Sequence, residues 1–297
     1  VAHRIPRLRA LAVSVLLAAC APVPAVAPAP GPGPRAGSAN AEYERFAREF
    51  LDWYYEANPV SATYLGIHRF DDRMPQVSRA AIEAESAYLR GALARLERIP
   101  RAGLTGDAYF DREILDHAIR ARLVDREEVR GWRRDPSFYV NQVSAGVASI
   151  SSRTFAPLPS RMRSMMGRMR QIPAVVAAAK ANLDSVPRIF ADDAVRNARG
   201  TVSFLENDLP GALAAQGFAD VDPALKAEWA AVHGQAVRDM QAFAAWVQDS
   251  VVPRANGDFR LGKATFERKL RYEEHVDLTA EQLRDVNERA IREYHAW

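Results

Sequence analysis

The chain has 297 residues, with 40 Lys+Arg against 37 Asp+Glu, and Cys20 is its single cysteine. Residues 1–19 carry Arg4, Arg7 and Arg9 and no acid, so without them the chain holds 37 basic residues against 37 acidic ones. A balanced remainder gives nucleic acid or an anionic membrane surface no electrostatic footprint to bind. One cysteine also excludes an internal disulfide framework and a multi-cysteine metal site.

Residues 1–19 read as a lipoprotein signal peptide. His3, Arg4, Arg7 and Arg9 form a basic start, and Leu11 to Ala18 is an apolar run too short to span a bilayer. Leu17-Ala18-Ala19-Cys20 has the pattern of a bacterial lipobox, which predicts cleavage before Cys20 and lipidation of its thiol. Two or three acyl chains there would anchor the protein to a lipid bilayer far more firmly than one. Ala21 follows the cysteine rather than Asp, which by resemblance to other lipoproteins of two-membraned bacteria implies an outer-membrane address facing the periplasm. Residues 20–39 then form a lipidated cysteine and a Pro-rich tether. Prolines at 22, 24, 28, 30, 32 and 34 favour extended polyproline II. At roughly 3.1 Å per residue, the tether could hold the body on the order of 50 Å from the bilayer.

Residues 40–297 read as one all-α, multi-helix domain. Asn40 is placed to cap a helix carrying Tyr43, Phe46, Ala47, Phe50 and Tyr54, which Asn58-Pro59 ends. Ser78 opens a second helix with Ile82, Leu89, Leu93 and Leu96 on one face. A third begins near Asp107, and Phe110, Ile114, Ala118 and Ala121 predict its core face. Phe138 to Ile150 suits strand or helix. Met162, Met165, Met166 and Met169 form a packing stripe, and Pro173 breaks or kinks the continuation through Leu183. Asp222 to Val251 is long and amphipathic, with Leu225, Trp229, Val232, Met240, Phe243 and Val247. Thr279 and Gln282 fit a capping box for the last helix. Its face of Leu283, Val286, Ala290 and Tyr294 reaches Trp297 without a stop signal, which predicts a chain cut within an element.

Few residues suggest chemistry. None of the six histidines precedes a Glu, so the helical His-Glu zinc motif is missing from this sequence. Glu113 with His117, and His275 with Asp277 within the polar cluster Glu273, Glu274, His275 and Asp277, supply two metal ligands each, fewer than the three a catalytic zinc site normally takes from protein. A helix-surface ion pair and a solvated loop explain them more simply. His68, Asp71 and Asp72 form a loop whose imidazole and carboxylates suit substrate contact or acid–base work. Helix capping is the plainer role for such a loop. No phosphate-binding Gly loop and no nucleophile elbow occur. The residues alone therefore assign no catalytic, metal or cofactor site to this chain.

Four stretches together resemble a known family. They are Asn58-Pro59-Val60-Ser61-Ala62-Thr63-Tyr64-Leu65-Gly66-Ile67-His68 with Asp71-Asp72-Arg73; Arg161 through Ile172-Pro173; Ala181-Asn182-Leu183; and Gly262-Lys263-Ala264-Thr265-Phe266-Glu267. Over roughly residues 41–297 the chain resembles the amino-terminal half of the bacterial domain of unknown function 885 family. That family is similar to two-lobed helical zinc peptidases such as the angiotensin-converting-enzyme and carboxypeptidase Taq groups, whose zinc motif lies in the later half. The resemblance implies that this chain is the scaffold lobe of a zinc-dependent peptidase or related hydrolase acting on peptides. Zinc would belong to the full-length parent, and no ligand carries over to any residue here. A non-catalytic helical lipoprotein that binds a periplasmic partner is the competing expectation.

Overall fold

A computed structural model describes residues 39–295, and every regular element among them is helical. Cys20, the signal peptide and the tether lie outside the described residues. The first helices are α1 (Ala39–Ala57), α2 (Pro59–Tyr64), α3 (Arg79–Glu97), α4 (Asp107–Val124) and the short α5 (Gly131–Arg134). The central ones are α6 (Ser137–Ser151), α7 (Leu158–Met169), α8 (Ile172–Asn182), α9 (Arg188–Ser203) and α10 (Leu209–Ala214). Then come α11 (Pro223–Trp246), α12 (Lys263–Glu273) and α13 (Ala280–His295).

Several of these boundaries follow directly from side-chain chemistry. Ser78 Oγ accepts from Ala81 N at 3.2 Å, satisfying a free donor at the start of α3. Pro173 stands in the first turn of α8, and the chain breaks there between α7 and α8. Asp222 accepts from the amides of Ala224 and Leu225 to open α11. At α13, Gln282 N donates to Thr279 Oγ1 at 3.2 Å and Thr279 N donates to Gln282 Oε1 at 2.8 Å, the reciprocal pair of a capping box. Phe138 to Ile150 resolves as helix α6, with Tyr139, Val140, Val143, Val147 and Ile150 buried.

Two apolar cores result. The larger is built from α6 to α11 around the Met162, Met165, Met166 and Met169 stripe, which faces Met240, Phe243 and Val247 of α11 and the turn after it. Burying each of these methionines contributes about 1.5–3 kcal/mol against exposure. The smaller core lies between α1, α3 and α4, where Tyr43, Phe46 and Phe50 meet Leu89, Leu96 and Ile119. α2 and the turn after it connect the two.

Two expectations need correction. Asn40 lies inside α1, and its amide donates to Thr105 Oγ1 while Thr105 N donates to its Oδ1, tying α1 to the approach of α4. The face of α4 bearing Phe110, Ile114, Ala118 and Ala121 does not enter the core. The inner face carries Arg112, Ile119 and Val124 instead. Arg112 takes this place against the end of α3: its guanidinium donates to Leu96 O at 3.1 Å, which also accepts from Ile99 N, and to Ile99 O at 3.2 Å. Phe110 and Ile114 are consequently 66% and 58% exposed.

Candidate functional site

The His68 loop is a fixed structure. Asn58-Pro59 ends α1 and starts α2, and Gly66, at φ +82°, turns the chain into the short helical turn His68–Phe70. His68 Nδ1 lies 2.9 Å from Asp71 Oδ2, so the ring nitrogen donates and the carboxylate accepts. The other oxygen of Asp71 accepts from Thr63 Oγ1 at 2.5 Å. The Thr63 hydroxyl in turn accepts from Arg168 at 2.7 Å. Arg168 is fully buried, and it also donates to Gly146 O, Ser149 Oγ and Pro59 O. Burial lowers its pKa to about 10, against the opposing pull of Asp71 and Asp72, so it stays charged at neutral pH.

The loop is pinned from other sides as well. The His68 ring stacks on Phe155 at 3.8 Å. Gln171 donates to Asp72 O and accepts from Met74 N, and Gly167 lets the backbone of Asp72 lie against α7. Arg69 pairs with Asp52, and Arg73 with Glu56. The structure thus joins His68 and Asp71 into an oriented pair, while Asp72 is exposed and takes part through its backbone and its charge. The pair holds His68 in one orientation with Nε2 left for another partner. Such a pair fixes the orientation of an imidazole.

The other polar candidates separate. Glu113 pairs with Arg101 at 3.1 Å and Arg112 at 3.3 Å, and does not pair with His117. His117 instead meets His275, Nδ1 to Nδ1 at 2.9 Å, with Tyr272 edge-on to its ring. Asp277 turns to Arg271, and Glu273 to Lys269. No group of three or more His, Cys, Asp or Glu residues is placed to hold a metal ion among the described residues. Two imidazoles already hydrogen-bonded to each other do not make a zinc site, and no reaction step is assigned to a metal here.

A concave feature without a sequence signal lies on the first helices. It is a groove of about 770 Å³ between α1 and α4. Phe50 and Leu89 line its depth, Ala47, Leu51, Ile114 and Ala118 its walls, and Glu44, Asp111 and Glu273 its rim. Trp53 and Tyr88 stack beside it at 3.8 Å, which stiffens the aromatic end. A pre-formed apolar groove with a few charged groups is the usual form of a binding site.

Residues 59–296 match the family described as bacterial protein of unknown function (DUF885). The chain belongs to this family. No curated protein matches it. Among solved structures it is similar to one from Shewanella oneidensis described as a "putative lipoprotein of unknown function". The TM-score is 0.71 with 27% identity, covering 81% of this chain and 44% of the Shewanella chain. The DUF885 chain described here therefore spans less than half the length of that neighbour.

Proposed function

We propose that this DUF885 chain is the helical scaffold part of a membrane-anchored, zinc-dependent hydrolase of the peptidase type, whose metal-binding part lies outside it. The observation that carries this reading is the extent of the likeness: 81% of the chain corresponds to only 44% of the Shewanella protein. The shared body is thus one part of a larger architecture in that neighbour. The resemblance of the family to two-lobed helical zinc peptidases supplies the reaction class. In this reading His68 and Asp71, braced by Thr63 and Arg168, touch peptide substrate from the scaffold side, with Asp72 at the exposed edge. Cys20, lipidated, holds the protein on the bilayer, at the outer membrane facing the periplasm.

The test is metal analysis and peptide cleavage for residues 20–297 beside a longer protein that includes the part matching the rest of the Shewanella neighbour. The expected result is about one zinc per chain and peptide hydrolysis in the longer protein, with neither in residues 20–297. Stoichiometric zinc in the shorter protein would overturn the division of labour. A metal-free, inactive longer protein would move the family member to the class of non-catalytic binding lipoproteins.

A further inference from the structure

We infer that the groove between α1 and α4 is a binding site for a cationic, amphipathic peptide segment. The inference goes beyond the hydrolase reading and does not depend on it, because the site is defined by shape and charge and not by chemistry at a metal.

The first argument is the misplaced apolar face. Ile114 and Ala118 of α4 face outward into the groove, with Phe110 exposed outside its lining, and Leu51 of α1 stands 40% exposed across it. Single exposed apolar residues need no explanation, but a contiguous apolar strip with a charged rim marks an interaction surface. Tight packing elsewhere on α4 shows that the helix is not loosely placed. Arg112 and Ile119 are buried against α3 and α1, and α12 lies along another flank and brings Glu273 to the rim.

Size selects a peptide. The groove is lined from Tyr43 to Tyr54 on α1 and from Asp111 on α4 to Asp125 just past its end. At about 1.5 Å per residue these walls run roughly 16–21 Å, the length of three to four helical turns. An amphipathic helix laid between two helices offers its apolar side chains at the same spacing as the walls.

Charge selects its sign. The lining includes five acids and two arginines. Arg122 is already held by Glu85 and Asn58, and Arg48 lies beside Glu44; Arg126 pairs with Glu85 and Asp125, and Lys269 with Glu273, so the negative sign of the lining rests chiefly on Asp111. Asp111 has no ion-pair partner among the described residues, and its negative charge adds to burial in pushing the Tyr43 phenol up. An occupant that brings Lys or Arg to this rim gains attraction, while an acidic peptide or a fatty acid meets repulsion.

The experiment uses the full chain and a fluorescent peptide of about 14 residues, with Leu on one helical face and Lys on the other. Fluorescence polarisation should show saturable binding that weakens as salt rises. A Leu/Glu peptide and a scrambled Leu/Lys peptide should bind at least about tenfold more weakly. Because Asp111 and Ile114 are exposed and Glu44 is half-buried at the surface, their variants should keep the fold, which circular dichroism verifies. The pair Glu44→Lys with Asp111→Lys should weaken the Leu/Lys peptide about tenfold or more, and Ile114→Gln several-fold. Equal binding of the scrambled or acidic peptide, or unchanged binding by the charge-reversed pair, would overturn the assignment. Preferential uptake of a fluorescent fatty acid would also overturn it, in favour of a lipid site. Peptide binding without cleavage by a longer protein would end the hydrolase reading and leave the groove standing. Cleavage without groove binding would do the reverse.

Discussion

Arg168 on α7 donates to Thr63 on α2, 105 residues earlier in the chain, at 2.7 Å. Through that hydroxyl it braces Asp71, and through Asp71 it orients His68. One buried guanidinium therefore links the larger core to the loop most suited to touch a ligand.

Removing this cation strands several polar groups. Arg168→Met keeps much of the side-chain volume but removes the donors that Arg168 gives to Thr63, Ser149, Pro59 O and Gly146 O, of which Gly146 O still accepts from Ser149 Oγ. The expected loss is about 3–5 kcal/mol, the range for breaking a buried charged network from one side. Arg168→Lys should also destabilise, since a single ammonium cannot reach the four acceptors that the planar fork spans. Urea unfolding decides it: a shift below about 1 kcal/mol for Arg168→Met would show that the network contributes little.

Alkaline pH should destabilise the fold through two tyrosines. Burial pushes the phenols of Tyr43 and Tyr139 up to about 12. An unfolded tyrosine titrates near pH 10. Each folded-state value is raised, so the stabilisation is complete below about pH 10 and is lost as pH climbs towards about 12. The loss approaches about 2–3 kcal/mol per phenol at the upper end. Urea midpoints should fall across that window, and Tyr43→Phe, which keeps the ring, should flatten the fall. An unchanged pH profile in that variant would remove Tyr43 from the account.

Much of the fold was legible because single residues settle helix boundaries. Ser78, Pro173, Asp222 and the Thr279–Gln282 pair each act through one or two backbone groups, and the structure places them as their chemistry requires. The methionine stripe was equally readable, since four long apolar side chains at helical spacing have no competing explanation. α9 gave little signal because its inner face is Ala191, Ala194 and Ala198, small residues that pack closely without marking an apolar stripe. α12 buries no residue, so periodicity had nothing to report.

The candidate site was only half legible. His68, Asp71 and Asp72 stand together in the chain, but the Arg168 that braces them sits inside the methionine helix, where it reads as an interruption. The groove was hidden by an assumption that apolar periodicity means burial. On α4 that rule fails because Arg112 lies inside against the end of α3, and Ile114 and Ala118 are left facing the groove.

Gly167 offers a local probe of the His68 loop. A Cβ at this position would stand 2.9 Å from Asp72 O and 2.9 Å from Asp72 Cβ, so the loop backbone must move. Alanine would gain about 1 kcal/mol of helix propensity in α7. The steric cost, about 1–3 kcal/mol for a forced contact in a packed site, opposes that gain. The expected outcome is a net loss of stability, with the His68–Asp71 pair disturbed. Thermal unfolding of Gly167→Ala checks it, and a raised midpoint would show that the loop yields without cost.

Anchoring depends on one sulfur, so it can be tested with one substitution. The proposed lipid sits on Cys20, the single cysteine of the chain, after a run that ends Leu17-Ala18-Ala19. Serine preserves size and polarity but cannot form the thioether. No helix among the described residues is long and apolar enough to cross a membrane. Each buried methylene of an acyl chain contributes about 0.8 kcal/mol to membrane binding, and removing every chain should shift the equilibrium wholly to solution. Cys20→Ser should therefore move the protein from the membrane fraction to the soluble fraction while leaving its helical circular dichroism unchanged. Separating inner from outer membranes in the wild type then tests the outer-membrane address. Retention of the variant on membranes would place the anchor elsewhere in the protein.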